Sequence, residues 1–234
     1  MTVAAVILFS RPEGALADAA GRPAARRIVE SAWAGGATPI VVVAADPTGE
    51  LAAALAGSPA VLAEPAPVEG GPVGQIVHGI RVATAKVSET DAAIVWPGRM
   101  TWVDAETVTT LIETHGVHRE QVLRPRYGDA AGWPVLLPLA AVDALNALPA
   151  ELMPDELFAR LAADVAAREV DTGDPGTAFD RATPLDELPP YAGPPEPARP
   201  SPEWGAAAAE MPDDAPLEGP ALAPYGQAAD PESD

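Results

Sequence analysis

The chain has 234 residues, with 34 acidic against 14 basic side chains, a net charge of −20, 28 prolines and no cysteine. Without cysteine there can be no disulfide, thiolate metal site or thiol nucleophile. The acidic balance repels phosphate backbones and anionic headgroups, which argues against nucleic-acid or membrane-surface binding, although solubility alone would explain the same sign.

The longest apolar run near the N-terminus, Val3 to Phe9, has no positive charge before it and is too short to span a bilayer, so a cytoplasmic location is expected. Its continuous branched residues predict a strand buried on both faces, as in parallel sheets. A helix follows over 22–34, opened by Gly21-Arg22-Pro23 and closed by Gly35-Gly36, the expected placement of proline and glycine. "TPIVVVAAD" is a second buried strand. A helix over 49–55, a short strand near Val61-Leu62, the loop "EPAPVEGGPVG" and a helix over 75–86 come next. Then follow a strand over 92–96, a helix over 105–114, a strand over 121–124, a strand over 135–137 and helices over 139–147 and 154–168. This alternation predicts an α/β fold, a three-layer α/β/α sandwich around a mainly parallel, Rossmann-like sheet.

From residue 189 the composition changes. Segment 189–234 holds 12 prolines, nine acidic residues and one basic residue, Arg199. It has too little apolar surface to offset the entropy of ordering its backbone. The expected organisation is a domain over 1–188, with net charge −12 from 13 basic and 25 acidic residues, followed by a disordered acidic, proline-rich tail over 189–234. Trp204, Met211, Leu217, Leu222 and Tyr225 make this tail either a recognition element for a protein partner or a solvated extension.

In such sheets ligands bind at the carboxyl ends of the strands, here 10–21, 45–47, 64–74 and 97–104. The first of these lies in "FSRPEGALADAAGRP". A phosphate-binding loop needs glycines that let successive amides approach the anion, and usually a lysine. Only Gly14 and Gly21 are present, Glu13 and Asp18 add negative charge, and Ser10 and Arg11 are left as the groups that could meet a ligand. Ser10 has no G-x-S-x-G elbow around it and is not read as a nucleophile.

Five blocks, taken in order, resemble the molybdenum-cofactor nucleotidyltransferases, the MobA-like branch of the nucleotide-diphospho-sugar transferase fold. "GRPAARRIVESAWAGGATPIVVV" is similar to the family's first helix and second strand. "EGGPVGQIVHGI" resembles its base-reading loop, at Gly71, Pro72 and Gly79, with Gly74 in the same stretch. "AIVWPGRMTWVDAETVTTLI" resembles its metal block, G-D-M-P followed by V-D-x-x-T. "RPRYGDAAGWPVLLP" resembles P-x-Y-x-x-x-x-G-H-P-V-L-F, and "GDPGTAFDRATPLDEL" resembles the closing D-P-G…D-x-D-T-P-x-D-L. The resemblance spans about residues 3–188 and implies guanylyl or cytidylyl transfer from a nucleoside triphosphate to molybdopterin, with magnesium.

The departures fall on the groups that carry the chemistry. The first loop is several residues too short for the family's L-A-A-G-x-S-x-R-M-G-x-x-K and lacks its lysine. Arg99 stands where the family's metal-holding aspartate would be, and a guanidinium cannot coordinate a cation. Thr101 replaces the proline of that block, Trp133 replaces the histidine of G-H-P, and Ala182 replaces the second acid of D-x-D, although Asp180 persists. The resemblance and its departures together imply a degraded triphosphate loop and metal site, on a protein impaired as an enzyme and acting in binding or regulation. Two alternatives stay open. One is active guanylyl or cytidylyl transfer to molybdopterin or a related acceptor, and the other is a non-catalytic scaffold that docks a partner through its tail.

The candidate catalytic residues are Arg99 and Asp180. The candidate nucleotide-binding residues are Ser10, Arg11, Gly71, Pro72, Gly74 and Gly98, and the expected ligand is a nucleotide or a molybdopterin-like molecule. No metal or other cofactor is expected, unless transferase activity is retained, in which case magnesium would bind with Asp180 as its ligand. Several other residues have plain structural readings. Asp104 is expected to cap the helix that follows it, Asp91 to lie in a turn at the opposite end of the sheet, and His115 and His118 to sit at a helix C-terminus, where positive charge is favoured. His78 faces either a ligand or the core. Trp96, Trp102 and Trp133 either fill a vacated nucleotide cavity or form a wall for a flat ring.

Overall fold

The computed structural model describes residues 1–195. The predicted tail and its scattered apolar residues from 196 onward lie outside the described residues. The strands are β1 (Thr2–Leu8), β2 (Ile40–Val43), β3 (Ala60–Ala63), β4 (Thr90–Pro97), β5 (Val122–Tyr127), β6 (Ala130–Ala131), β7 (Val135–Pro138) and β8 (Ala167–Asp171). The helices are α1 (Pro12–Leu16), α2 (Ala24–Ala34), α3 (Glu50–Leu55), α4 (Gly71–Lys86), α5 (Ala105–Val117), α6 (Val142–Asn146) and α7 (Pro154–Asp164).

The eight-stranded sheet has the order β3-β2-β1-β4-β7-β5-β6, with β8 paired to β5. Strands β3, β2, β1 and β4 run parallel, as do β5 and β8, whereas β7 is antiparallel to both β4 and β5. Residues 3–7 of β1 and all four of β2 are buried, which is why these strands read as unbroken apolar runs rather than alternating ones. Helices α2 and α5 pack on one face, and α4, α6 and α7 on the other. The predicted three-layer α/β architecture is therefore present. Among the described residues, no helix is long and apolar enough to cross a membrane.

Several boundaries differ from the sequence reading. Helix α4 starts at Gly71 rather than 75, with Pro72 in its first turn. Helix α7 stops at Asp164, and Ala167–Asp171 is a strand, largely exposed, along β5. The helix expected over 139–147 is a 3₁₀ turn, Leu139–Ala141, leading into α6. Ordered contacts also continue past Leu188. The Tyr191 hydroxyl donates to Glu106 Oε2 at 2.8 Å, the Ala192 amide donates to the Gly173 carbonyl at 3.2 Å, and burial together with Glu106 holds the Tyr191 phenol well above its usual pKa.

At the end of the sheet opposite the strand carboxyl ends, Asp91 lies within β4 rather than in a turn. Its carboxylate accepts from the Thr2 amide at 2.7 Å and lies 3.8 Å from the N-terminal ammonium. His115 is only 1% exposed and, among the described residues, neither ring nitrogen has a hydrogen-bond partner. Burial lowers its pKa, with Asp91 raising and Arg119 lowering it further. A favourable charge at the helix end, as the sequence predicts, is thus not what this residue supplies: burial disfavours the imidazolium. His118 is the C-cap of α5.

Candidate active site

The direction of strand succession reverses at β1, with β2 and β3 on one side and β4 on the other. Such a switch point opens a crevice at the strand carboxyl ends. Two tight backbone contacts close its floor: the Phe9 amide donates to the Val43 carbonyl at 3.0 Å and the Gly98 amide to the Leu8 carbonyl at 2.8 Å. A β-carbon at Gly98 would collide with the Phe9 ring, so glycine is required by close approach.

Above this floor lies a cleft of about 1140 Å³. Of the residues singled out from the sequence, Ser10, Arg11, Gly71, Pro72, Gly98 and Arg99 line it, and Gly74, Asp180 and His78 do not. Beside Pro72, Gln75 takes the place at the cleft expected of Gly74. Its side-chain amide is fixed against the loop from β3: the Ala66 amide donates to Gln75 Oε1, and Gln75 Nε2 donates to the Ala66 carbonyl, both at 2.8 Å. This two-way bond holds the loop and α4 in one register. Gly71 opens that helix with φ +54°, and a β-carbon there would strike the Ala150 carbonyl.

Arg99 sits in the turn after β4. That turn is fixed by the Met100 amide donating to the Pro97 carbonyl at 2.9 Å, and by Trp96 Nε1 donating to the Met100 carbonyl at 2.8 Å. The Arg99 guanidinium lies 3.4 Å from Asp155 Oδ2 and 5.9 Å from the centre of the Trp133 ring. Asp155, in the first turn of α7, also accepts from Trp133 Nε1 at 2.8 Å and lies 3.5 Å from Arg124. Arg99 is 43% and Asp155 59% exposed, so the ion pairs contribute little stability. Their effect is to orient the guanidinium. Of the three tryptophans noted in the sequence, Trp133 alone lines the cleft; Trp96 is fully buried, and Trp102 donates to the Thr183 carbonyl at 2.9 Å.

The closing segment 173–183 is built around Asp174, which is 2% exposed. Its carboxylate accepts from the Asp104 amide (2.9 Å), the Thr107 hydroxyl (2.7 Å) and the Gly176 amide (2.8 Å). Burial pushes the Asp174 pKa up, while those donors pull it back. Asp104 is the N-cap of α5, accepting from the Glu106 amide at 2.9 Å, as expected. Downstream, the Arg181 amide donates to the Arg99 carbonyl at 2.8 Å, and Arg181 Nη1 donates to the Gly14 carbonyl at 2.6 Å. Arg181 therefore enters the cleft, whereas the neighbouring Asp180 carboxylate accepts from the Ala182 amide at 2.8 Å. Sequence reasoning singled out Asp180 and passed over Arg181 and Asp155. The variable position inside D-x-D carried no signal, and Asp155 reads as an ordinary acidic residue in a helix's first turn.

Among the described residues, the cleft is thus lined by three guanidinium-bearing residues, Arg11, Arg99 and Arg181, and one carboxylate, Glu13. These donors do not fit a divalent cation, which takes oxygen ligands. Among the described residues, no group of three or more His, Asp or Glu side chains could hold one.

A sequence model of the MobA-like NTP transferase domain matches residues 11–168. No curated protein sequence matches the chain. Among solved structures, it is similar to a nucleotidyl transferase from Methanothermobacter thermautotrophicus, with TM-score 0.64 and 16% identity over 80% of this chain and 94% of that one. It is also similar to Rv0371c from Mycobacterium tuberculosis H37Rv in complex with manganese, with TM-score 0.55 and 18% identity over 74% and 89%. A third is CMP:2-keto-3-deoxy-manno-octonic acid synthetase complexed with CTP, with TM-score 0.52 and 17% identity over 74% and 90%. At these identities the structural likeness speaks to the fold, and the sequence match, which covers more than half of the chain, speaks to descent. The chain belongs to the MobA-like NTP transferase domain family.

Proposed function

We propose that this protein binds a nucleotide in the cleft between the ends of β1 and β4 and acts in binding or regulation rather than as an efficient nucleotidyltransferase. The observation that carries this reading is Arg99, a guanidinium held by Asp155 at the strand end where the family resemblance calls for a metal-holding aspartate. Transfer of a nucleotidyl group depends on positioning and on stabilising phosphate charge, much of which a divalent cation ordinarily supplies. A cleft with one lining carboxylate among the described residues and a shortened loop after β1 keeps the means to bind a phosphate and loses the means to organise that cation.

Membership in the family and the similarity to a synthetase complexed with CTP support a nucleotide as the ligand. The acceptor that the resemblance implies, molybdopterin or a related molecule, would share the cleft's apolar side near Trp133 and Met153. Thermal melting with ATP, GTP, CTP and UTP tests the binding half of this reading, because a ligand of the native state raises its melting temperature by mass action. One of the four is expected to stabilise the protein, and silence from all four overturns the reading.

A further inference from the structure

Among the described residues, the charged side chains that line the cleft are three cations and one anion, and two of the cations are coupled. The Arg181 amide donates to the Arg99 carbonyl, which places the two residues on adjacent segments. Arg181 Nη1 is anchored on the Gly14 carbonyl, and among the described residues its other side-chain donors have no partner. Arg99 is oriented by Asp155 and by the Trp133 ring, and the 3.4 Å contact between two exposed groups is weak enough for an anion to compete with it. Both residues face one cleft of a size suited to a small molecule.

We infer that Arg99 and Arg181 together form a seat for a nucleotide phosphate bound without a divalent cation; this rests on the nucleotide-binding reading above. A guanidinium presents a planar fork of N–H donors that matches two phosphate oxygens. A magnesium ion on the same oxygens would meet the charge of the guanidiniums and, among the described residues, would find Glu13 as a lining carboxylate and Asp155 already paired with Arg99, short of the set of oxygen ligands it takes. The magnesium complex of the nucleotide is therefore the poorer ligand. The cation competes with the protein for the phosphate instead of bridging the two.

The test is calorimetric titration of the full chain with each of the four ribonucleoside triphosphates, once in EDTA and once in excess magnesium chloride. The nucleotide that binds should do so about threefold or more weaker in magnesium. Arg99→Gln and Arg181→Gln should each weaken binding in EDTA about tenfold or more, the loss expected for a hydrogen-bonded charge, and should shrink the magnesium effect. Arg99→Lys keeps the charge but not the fork and should fall between wild type and Arg99→Gln, which guards against loss through misfolding. Binding tightened by magnesium, or binding by both glutamine variants at wild-type strength, overturns the seat while leaving nucleotide binding intact. Absence of binding for all four nucleotides in both conditions overturns both.

Discussion

The Arg99 guanidinium and the Asp155 carboxylate lie 3.4 Å apart, joining the turn after β4 to the first turn of α7 at the edge of the cleft. Asp155 also serves Arg124 and Trp133, so its removal separates electrostatic from hydrogen-bonding roles. Asp155→Ala should cost about 1–2 kcal/mol, chiefly by leaving Trp133 Nε1 without its acceptor. Asp155→Asn keeps an acceptor oxygen and should cost about 0.5 kcal/mol, the worth of exposed ion pairs. Urea denaturation with an unchanged m-value would measure both, and equal losses would contradict this division.

Gly71 makes a stronger demand. Its φ of +54° is unfavourable for any residue with a β-carbon, and that carbon would meet the backbone of Ala150, which cannot swing aside as a side chain can. Gly71→Ala should destabilise the protein by about 3 kcal/mol or more and displace the mouth of the cleft, whereas Gly74→Ala, where nothing lies within 4 Å of the added carbon, should be neutral or slightly stabilising. Chemical denaturation of the pair checks the contrast.

His115 makes stability depend on pH at the far end of the sheet from the cleft. Its folded pKa is depressed by burial, so the unfolded chain takes up the proton first, near pH 6.5. The stability that comes from keeping this ring neutral is complete above about pH 6.5 and is lost as the pH falls toward the folded value. Asp174 has the opposite sign: its pKa is raised by burial from 3.8, so protonation in acid favours the folded state. Melting temperatures should fall from about pH 7 toward pH 5, and His115→Leu should flatten that slope. A slope that survives the substitution would assign it to other groups.

The contacts of Tyr191 and Ala192 predict that truncation after Leu188 lowers the melting temperature relative to truncation after Pro195. Tyr191→Phe alone should cost about 1 kcal/mol, one hydrogen bond to a charged acceptor at a partly exposed site. Identical melting of the two truncations would place the end of the folded unit at 188.

Wherever one segment decides its own conformation, the fold was legible in the sequence. The apolar runs of β1 and β2, the proline and glycine bounding α2 and the Asp104 cap of α5 are local signals, and each marks its element. Strand β8 was missed because Ala167–Asp171 is largely exposed and charged, and is a strand by virtue of its pairing with β5, whose partner residues lie 45 positions away in the chain. The site divides in the same way. Arg99 stood out because it breaks a motif, and Gly71 and Gly98 because they match one, at positions where close approach of the backbone requires glycine; Gly74, in the same stretch, has no such contact. Arg181 could not be found, since its place in the cleft depends on bonds to Arg99 and Gly14 that no spacing encodes. Away from the site, His115 was legible as a helix-end residue but its burial without partners among the described residues was not, being a tertiary fact.

The most direct test of the central claim is release of pyrophosphate by the purified full chain, given each nucleoside triphosphate, magnesium and molybdopterin as acceptor. The account predicts release no faster than the background without protein, even for the nucleotide that binds. Turnover comparable to that of a family member with an intact glycine-rich loop and metal-holding aspartate would contradict it.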